Sequence, residues 1–460
     1  METNNKALKI TFLGATSQVT GSNFLVETSE EKILVDCGLF QETLESEKKN
    51  VGGFPFNPRE INYLFVTHGH IDHIGRIPKL VRDGFRGQII STPETKEIAL
   101  LLLEDALKVM GYRKLEKGKE PLYEEKDITE SFKLWKTVSY RQTFKLKNGL
   151  EVVLKNAGHV LGSAMVEFKR AGSLESLVFT GDLGSWPNPL LQKTDSLDGV
   201  KYLVMESVYG DRNHISLFEG ERNFRQVVEK IIKNSGTLLI PSFSLERSQV
   251  VLFELNKLIE NKIIPHIPVF FDSPLAIKLT EIYKRSKHLF NTDIQNQIRG
   301  GDDIFDFSHL VISKTSFDSK LIENTKGSKI IIAGSGMSQG GRIVYHEAKY
   351  LEDEKNAVLL LGYQGIGTLG RRLLEGEKQV LIQDKPIKVK ASIESIDSFS
   401  AHKDSDGLLQ FVADNGDHLK KVFCVMGEPR ASLFLAQKIK DNLNIDCVAP
   451  KEGENYLVDL

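Results

Sequence analysis

The sequence is poor in several residue types, and each shortage excludes a class of protein. Only three of its 460 residues are cysteine, Cys37, Cys424 and Cys447, which are too few and too scattered for a disulfide framework or a zinc ribbon. Each lies in or directly after an apolar run, so we expect buried free thiols in a reducing compartment. Lysine and arginine number 60 against 62 acidic residues. That balance excludes a globally basic nucleic-acid binder, but it is compatible with a local basic groove.

Long apolar runs are missing as well. No stretch approaches the ~20 apolar residues that a membrane span requires, and the first residues, METNNKALK, lack the apolar core of a signal peptide. We therefore predict a cytoplasmic protein that does not enter a membrane. With 40% hydrophobic and 27% charged residues, the chain can bury one large core or two moderate ones.

Hydrophobic patterning divides the chain into three sections. Up to about residue 215 it indicates short strands joined by turns, with a helix predicted over 96–111. Amphipathic helices then alternate with apolar strands, which favours a parallel sheet covered by helices. After about residue 380 strands predominate again, one of them predicted over 387–393. Because no linker rich in Pro, Ser or Gly separates the sections, we predict an α/β module inserted within another domain.

The most informative stretch is a cluster of metal-capable side chains that follows an apolar run. It reads Thr-His-Gly-His-Ile-Asp-His-Ile-Gly at 67–75 and contains His68, His70, Asp72 and His73. The first two histidines would point to the same side of an extended segment, because strand side chains alternate. The later pair follows where the chain turns and can face a second point nearby. These ligand types suit zinc or a similar ion, and two adjacent ions can clamp the oxygens of a displacement at phosphorus or carbon.

Three more acid or imidazole residues lie where predicted strands end in small residues: Asp36, His159 and Asp182. Glycine neighbours let the backbone bend sharply, so a strand-end side chain can reach into a site. Taken singly, an aspartate beside glycine is more often a plain turn residue. Beside the histidine cluster, His159 can supply a third imidazole and Asp182 a carboxylate able to bridge two ions. Asp36 is better placed to accept a hydrogen bond from a ligating histidine and so orient it.

Further motifs, taken with this cluster, resemble those of the β-CASP nucleases. That branch of the metallo-β-lactamase superfamily includes RNase J and the endonuclease subunit of the pre-mRNA 3′-end cleavage machinery. The matching motifs are Glu206 in Glu-Ser-Val-Tyr-Gly, Pro-Ser-Phe-Ser-Leu-Glu-Arg-Ser-Gln at 241–249, Asp-Ser-Pro-Leu-Ala at 272–276, Gly-Ser-Gly-Met at 334–337 and Phe-Ser-Ala-His-Lys-Asp at 399–404. The resemblance runs from about residue 8 to 455.

This resemblance implies a mixed α/β fold. The expected core is a metallo-β-lactamase αββα sandwich assembled from both ends of the chain, at 1–210 and 381–460. The inserted β-CASP parallel α/β domain would occupy 211–380.

The resemblance also implies a zinc-dependent ribonuclease that hydrolyses phosphodiester bonds of single-stranded RNA through a metal-activated water. His402 would act as general acid on the leaving oxygen, oriented by Glu206, with Asp36 completing the catalytic set. A homodimer is a further expectation. Six side chains would bind two zinc ions: His68, His70, Asp72, His73, His159 and Asp182.

Candidate phosphate contacts lie in the inserted module. Gly334–Met337 forms a glycine-containing loop before a helix that begins near Gly341, a geometry that presents backbone N–H groups to phosphate. Ser335, Arg247 and Arg342 are candidate contacts by position, although isolated polar residues of this kind are as often simply solvated.

One position departs from the family pattern. The last family motif has a histidine ahead of Gly-Glu at the end of a strand, whereas this chain has Met426 there, in Val-Phe-Cys-Val-Met-Gly-Glu-Pro at 422–429. A neutral thioether is a poor substitute for imidazole on zinc. We therefore expect a weakened second metal site.

Two other functions remain open from the sequence. A catalytically weakened β-CASP subunit that binds RNA or a partner nuclease is favoured by Met426 and opposed by the six retained metal-binding side chains. A small-molecule hydrolase of the same superfamily, such as a thioesterase or lactonase, is opposed by the long insertion between Glu206 and His402.

Overall fold

The chain folds into two compact units. The computed structural model describes residues 7–41, 44–117, 120–147, 149–365 and 367–460. Unit 1 combines Met1–Asn213 with His402–Leu460, and unit 2 is His214–Ala401. Unit 2 is therefore an insertion within unit 1.

The N-terminal part of unit 1 consists mostly of short strands. They are β1 (Ala7–Phe12), β2 (Phe24–Glu27), β3 (Lys32–Val35), β4 (Tyr63–Phe65), β5 (Gln88–Ser91), β6 (Trp135–Thr137), β7 (Thr143–Lys145), β8 (Leu150–Asn156), β9 (Ala164–Arg170), β10 (Ser176–Phe179) and β11 (Val200–Glu206). The helices are α1 (Leu44–Val51), α2 (Ile71–Ile74), α3 (Ile77–Arg82), α4 (Pro93–Lys117) and α5 (Glu125–Lys133). The helix predicted over 96–111 is the central part of α4.

Unit 2 alternates helices and strands, as the patterning predicted. Its helices are α6 (Leu217–Lys233), α7 (Arg247–Glu260), α8 (Pro274–Arg285), α9 (Thr292–Arg299), α10 (Ser316–Leu321), α11 (Gly341–Tyr350) and α12 (Leu369–Leu374). Its strands are β12 (Thr237–Pro241), β13 (Val269–Asp272), β14 (Leu310–Ile312), β15 (Lys329–Ala333), β16 (Ala357–Leu361), β17 (Gln379–Ile382), β18 (Lys385–Lys388) and β19 (Ser392–Ile396).

The C-terminal part of the chain returns to unit 1 and completes it. Its elements are α13 (Ser405–Asp414), β20 (Lys421–Val425), α14 (Pro429–Leu443), β21 (Cys447–Val448) and β22 (Asn455–Asp459). Across all described residues, no helix is both long and apolar enough to cross a membrane.

Two seven-stranded sheets form the centre of unit 1, and each includes strands from both ends of the chain. The first has the order β22-β1-β2-β3-β4-β5-β6 and the second β21-β20-β11-β10-β9-β8-β7. The C-terminal β22 pairs antiparallel with β1, and β20 pairs parallel with β11. Neither sheet is complete without the residues that follow unit 2.

Alternating side chains place each sheet between two apolar layers. In β4, Phe65 points into the buried cluster between the sheets, whereas Leu64 packs with residues of α3 and α4. In β11, Val204 joins the same inter-sheet cluster and Leu203 packs with residues of α13 and α14. Since successive strand side chains point to opposite faces, the order of layers is helix, sheet, sheet, helix. The expected αββα sandwich is confirmed.

The sheet of unit 2 is parallel, also as expected. Six strands lie in the order β14-β13-β15-β12-β16-β19, and their pairings are all parallel. Ile343 of α11 and Leu373 of α12 pack with Ile331 and Val358 in the cluster that covers one face.

The prediction of one strand over 387–393 is wrong, because this segment contributes to two different strands. β18 pairs antiparallel with β17 in a hairpin, whereas β19 pairs parallel with β16 in the large sheet. Apolar residues continue at every second position through the break, at Ile387, Val389, Ala391 and Ile393, so the periodicity could not show that the chain changes sheet. Because β19 belongs to this sheet, residues through Ala401 group with unit 2, later than the limit of 380 derived from the sequence.

The three cysteines are free and buried, as predicted. Cys424 in β20 and Cys447 in β21 have their sulfur atoms 3.4 Å apart. Burial raises the pKa of Cys37 to about 12, so that group stays a neutral thiol at physiological pH.

Candidate metal centre

The 67–75 stretch lies where β4 gives way to α2. β4 ends at Phe65, and His70 directly precedes the first turn of α2 with extended backbone angles (φ −63°, ψ 149°). Asp72 and His73 lie inside that turn. The change from extended to helical backbone brings the His68 Nε2 and His70 Nδ1 atoms to 3.0 Å of each other and gives the later pair a different direction.

Two other strand ends bring further ligand candidates to the same place. His159 lies between β8 and β9, where its backbone N–H donates to Ser163 Oγ (3.1 Å), and Asp182 follows β10. The residues before them, Gly158 and Gly181, have φ angles of 69° and 54°. L side chains rarely adopt such angles, so glycine is what lets both turns form.

Four ligand atoms from these loops converge with the spacing of a tetrahedral zinc site. His70 Nδ1 lies 3.0 Å from His68 Nε2 and 3.3 Å from His159 Nε2. Asp182 Oδ2 lies 3.4 Å from His68 Nε2 and 3.5 Å from His159 Nε2. Zinc bonds to nitrogen and oxygen of ~2.0–2.1 Å imply a tetrahedron edge of about 3.3 Å. This donor set therefore fits zinc.

A second group of donors lies on the other side of Asp182. His73 Nε2 is 3.5 Å from Asp182 Oδ1 and 3.9 Å from Asp72 Oδ2. The two oxygens of Asp182 thus face different sets of ligands, as a bridging carboxylate would. Met426 is 1% exposed and belongs to the apolar cluster between the sheets.

The protonation states suit metal binding. Burial, with His73 next in effect, lowers the pKa of His68 well below its usual range, so its ring is neutral. Burial opposes ionisation of Asp182 too, yet His73 and His68 hold the pKa of that carboxyl well below its usual value. For His73 itself, burial is outweighed by Asp182, Asp36 and Asp72, which raise its pKa. A divalent cation bound at His73 would neutralise the same carboxylates and would displace the proton from the ring.

Asp36 lies behind this group and contacts His73. Its Oδ2 atom accepts a hydrogen bond from His73 Nδ1 at 2.7 Å, and its carboxylate also accepts from the Thr67 backbone N–H (2.8 Å) and the Ser22 hydroxyl (3.0 Å). When a cation displaces the proton on Nε2, the proton that stays on Nδ1 leaves His73 with the lone pair of Nε2 directed toward Asp182. Such outer contacts fix the tautomer and the direction of a ligating histidine.

His402 and Glu206 form a pair beside the ligand cluster. His402 Nδ1 lies 3.1 Å and 3.3 Å from the two oxygens of the Glu206 carboxylate, and the rings of His402 and His159 are 4.5 Å apart. Burial lowers the pKa of His402, but Glu206, Asp182 and other carboxylates raise it to about 9. Because Nδ1 is engaged by Glu206, Nε2 is the nitrogen that can exchange a proton with a substrate.

Sequence reasoning missed two side chains that hold this arrangement together. The Thr67 hydroxyl lies 2.9 Å from Asp36 Oδ2 and 3.1 Å from His68 Nδ1, so it links the two. Lys403 donates from Nζ to the Gly184 carbonyl at 2.7 Å. Their positions directly beside His68 and His402 in the sequence were the available signal.

The three candidate phosphate contacts lie in unit 2 and differ in how they are engaged. Arg342 donates to Asp272 Oδ1 (2.6 Å) and to the Ser313 carbonyl (3.0 Å). Its guanidinium is therefore engaged by groups within unit 2. Ser335 accepts from the Gln339 N–H (3.1 Å), and Arg247 is buried at the start of α7.

Comparison with known proteins places the chain in a family. Three family models match in succession: the metallo-beta-lactamase superfamily at residues 17–207, the Beta-Casp domain at 248–373 and the Zn-dependent metallo-hydrolase RNA specificity domain at 386–450. Ribonuclease TTHA0252 of Thermus thermophilus is 32% identical over 433 residues, covering 94% of each chain. The chain belongs to the β-CASP nucleases of the metallo-β-lactamase superfamily. It is a metal-dependent hydrolase.

Other β-CASP relatives match over almost the whole chain. Transcription termination factor FttA of Pyrococcus horikoshii is 31% identical over 471 residues, covering 98% of this chain and 71% of that protein. Integrator complex subunit 11 of Gallus gallus is 30% identical over 467 residues, covering 98% and 74%. A solved structure of an Enterococcus faecalis V583 protein shares the fold, with a TM-score of 0.58 at 12% identity over 98% of this chain and 100% of the other.

Proposed function

We propose that this chain is a zinc-dependent ribonuclease that hydrolyses phosphodiester bonds of single-stranded RNA. The observation that carries the proposal is the convergence of three imidazoles and Asp182, at the spacing of a zinc site, beside the His402–Glu206 pair. A ribonuclease among the relatives and the RNA-specificity family model at 386–450 support RNA as the substrate.

Zinc matches the donor set better than a harder ion, because imidazole nitrogens outnumber carboxylate oxygens. Bound zinc supplies a Lewis acid that lowers the pKa of water and offsets charge on phosphoryl oxygens. Met426 offers no imidazole, so a second ion would be held more weakly than the first. The proposed ligands are His68, His70, His159 and Asp182 for the first ion, and Asp182, Asp72 and His73 for the second.

The proton for the leaving oxygen comes from His402. Its raised pKa, about 9, keeps the ring protonated at neutral pH, which is the form a general acid needs. Glu206 orients the ring through Nδ1 and is itself fixed by the Leu183 N–H (2.5 Å). Cations bound at Asp182 would weaken the contribution of this carboxylate to the raised pKa of His402. The pKa of His402 would then lie closer to neutrality.

RNA phosphates would contact unit 2 through Ser335, Arg247 and the backbone of Gly334–Met337. Arg342 supports the same region indirectly, because it ties α11 to Asp272 at the end of β13. Assembly as a homodimer is part of the proposal and is tested by the mass of the protein in solution.

End-labelled single-stranded RNA tests the function directly. Zinc-loaded protein should cleave it, chelator should stop the cleavage, and added zinc should restore it. His70→Ala should lose zinc and activity together, whereas His402→Ala should lose activity and keep its zinc. Internal fragments would indicate endonucleolytic cutting and mononucleotides exonucleolytic cutting. Zinc-loaded protein that leaves RNA intact would refute the proposal.

A second candidate, an RNA- or nuclease-binding subunit with weakened catalysis, is favoured by one observation. Met426 stands where the family has a metal-binding histidine. This function predicts RNA binding without cleavage at any zinc concentration, and gain of cleavage in Met426→His.

A further inference from the structure

An exposed tryptophan lies on the loop that follows Asp182. The chain contains two tryptophans. Trp135 is 3% exposed, and its Nε1 donates to Ser91 Oγ at 2.8 Å. Trp186, in contrast, is 49% exposed. Isolated exposed apolar side chains are common on protein surfaces. Exposure alone therefore does not indicate a function for Trp186, and its surroundings have to be considered.

The loop that carries Trp186 is fixed on both sides of the residue. Before it, the Gly184 N–H donates to the Ala157 carbonyl (2.8 Å), and the Gly184 carbonyl accepts from Lys403 Nζ (2.7 Å). After it, the buried Asn188 side chain accepts from the backbone N–H groups of Leu190 (2.9 Å) and Leu191 (2.7 Å). The indole is therefore displayed from a braced segment, and little conformational entropy is lost when it binds a ligand.

The same segment adjoins the proposed general acid. Gly184 forms a β-bridge with His402, and two residues of chain span at most about 7 Å. The Cα atom of Trp186 therefore lies within about 7 Å of that of Gly184, the residue that bridges to the proposed general acid.

A positive charge lies further along the loop. Lys193 is exposed, and its neighbours Gln192 and Thr194 approach Gly158, the residue before His159, so closely that a Cβ there would lie 3.0 Å from their backbone atoms. The loop thus begins at one zinc ligand and returns to another, carrying an aromatic ring and a cation. That combination is typical of surfaces that bind single-stranded nucleic acid.

We propose that Trp186 is a stacking platform for one RNA base that flanks the scissile phosphate. The proposal rests on the ribonuclease function and adds a residue that discriminates between substrates. Stacking needs an unpaired base and accepts any base, because every base has a π-face. Trp186 would therefore favour single-stranded over duplex RNA without selecting a sequence.

Tryptophan fluorescence measures this contact. Titration of a single-stranded oligouridylate into zinc-loaded His402→Ala protein, which binds without cutting, should quench the emission of Trp186. The buried Trp135 should contribute little to the change. The double variant His402→Ala with Trp186→Phe should show no quenching, although it still binds the RNA.

Affinity measurements separate stacking from charge. Trp186→Ala should weaken RNA binding roughly ten- to hundredfold, the factor expected for one stacked base, with zinc content and salt dependence unchanged. Lys193→Ala should instead reduce the salt dependence by about one phosphate contact. Leu174→Ala is the matched control. Leu174 is also an exposed apolar residue, at 82%, but it lies before β10, whereas Asp182 and the loop that carries Trp186 lie after that strand.

The outcomes distinguish this proposal from the ribonuclease function. Wild-type protein that cleaves RNA while Trp186→Ala binds it equally well, with no quenching in the His402→Ala background, would overturn the stacking role alone. In the His402→Ala background, an RNA in which one abasic site weakens binding when Trp186 is present, but not after Trp186→Ala, would identify the stacked base and support the proposal. Wild-type protein that neither binds nor cleaves RNA would overturn both.

Discussion

Asp182 and Asp36 are buried aspartates that lie on opposite nitrogens of the His73 ring, and they are suited to different tasks. Each oxygen of Asp182 faces a different set of donors, so this carboxylate is suited to join two ions. Asp36 has its oxygens engaged by Ser22, Thr67 and His73 and is suited to hold a ligand in place. The residue type is the same, and the neighbours decide its role.

Asp36→Asn should weaken the second metal site without removing a ligand. The amide of this variant has a single accepting oxygen, and the Thr67 N–H, which donates to Asp36 Oδ1 at 2.8 Å, would hold it. The amide nitrogen would then face His73 Nδ1 and could not accept its proton, so the ring would lose its fixed tautomer. We expect zinc affinity at that site to fall by about 10–100-fold, measured by competition with a chromophoric chelator. Asp127→Asn, at a buried aspartate in the capping box of α5, is the control and should bind zinc normally. Equal affinity in both variants would show that the contact with Asp36 does not support metal binding.

Met426→His should raise zinc content toward two ions per chain and increase RNA cleavage. An imidazole at this position would supply the donor that the thioether lacks. Elemental analysis after dialysis measures the content, and Met426→Leu, of similar volume, should leave it unchanged. If the histidine variant matches the leucine variant, residue 426 does not face the metals.

At the residue scale, the convergence of the candidate ligands and the contact of Asp36 with His73 could be predicted, whereas other supporting contacts could not. The spacing within 67–75 and the glycines before His159 and Asp182 are local features that a sequence displays. The Thr67 link and the occupied guanidinium of Arg342 arise from contacts between distant segments. No local pattern encodes contacts of that kind.

Among the elements, α11 carries a buried carboxyl that should make unit 2 sensitive to pH. Glu347 lies on the inner side of this helix and accepts a hydrogen bond from the Ser338 hydroxyl. Burial raises its pKa from 4.5 to about 8, against the opposing effect of Ser338. The folded protein therefore prefers the protonated form, and ionisation of Glu347 is unfavourable in place.

Stability should fall as the pH rises from the unfolded pKa of Glu347 toward its folded pKa. Between pH 4.5 and about 8 the folded state binds more protons than the unfolded state, so the free energy of unfolding decreases, by as much as ~5 kcal/mol from this group. Glu347→Gln should flatten the dependence in urea unfolding of the whole chain. Glu354→Gln, at an exposed position, should retain it. Parallel pH curves for wild type and Glu347→Gln would contradict this assignment.

Predictions from hydrophobic patterning succeeded where the period was clear. The helix predicted over 96–111 lies within α4, and the alternation of helices and strands predicted after about residue 215 is found in unit 2. The segment 387–393 failed because its alternation runs unbroken from a hairpin into a large sheet. Strand pairing over long sequence distances, such as β1 with β22, was not predicted, although the inserted module implied that both ends of the chain belong to one domain.

For unit 1 as a whole, the candidate metal ligands come from both sheets. His68 and His70 follow β4 of the first sheet, whereas His159 and Asp182 follow β8 and β10 of the second. A bound ion would therefore cross-link the sandwich at its edge, in addition to the apolar cluster between the sheets.

Removal of metal should lower the melting temperature of the whole protein. A ligand that binds only the folded state stabilises it by RT ln(1 + [L]/Kd), about 4 kcal/mol at a thousandfold excess over Kd. Thermal unfolding in chelator, then at rising free zinc, should show a progressive increase. Magnesium should have little effect, because imidazole ligands suit it poorly. A melting temperature that zinc does not change would mean that the cluster binds no ion.

The pairing of β22 with β1 and of β20 with β11 has a consequence for the protein during its synthesis. While the ribosome is still adding unit 2, both sheets lack their final strands, and the strand edges that await them are able to pair with other chains. His402 has not yet been added either. A nascent chain therefore lacks the proposed general acid until its last section has been made, and a fragment abandoned before that point would be prone to aggregate.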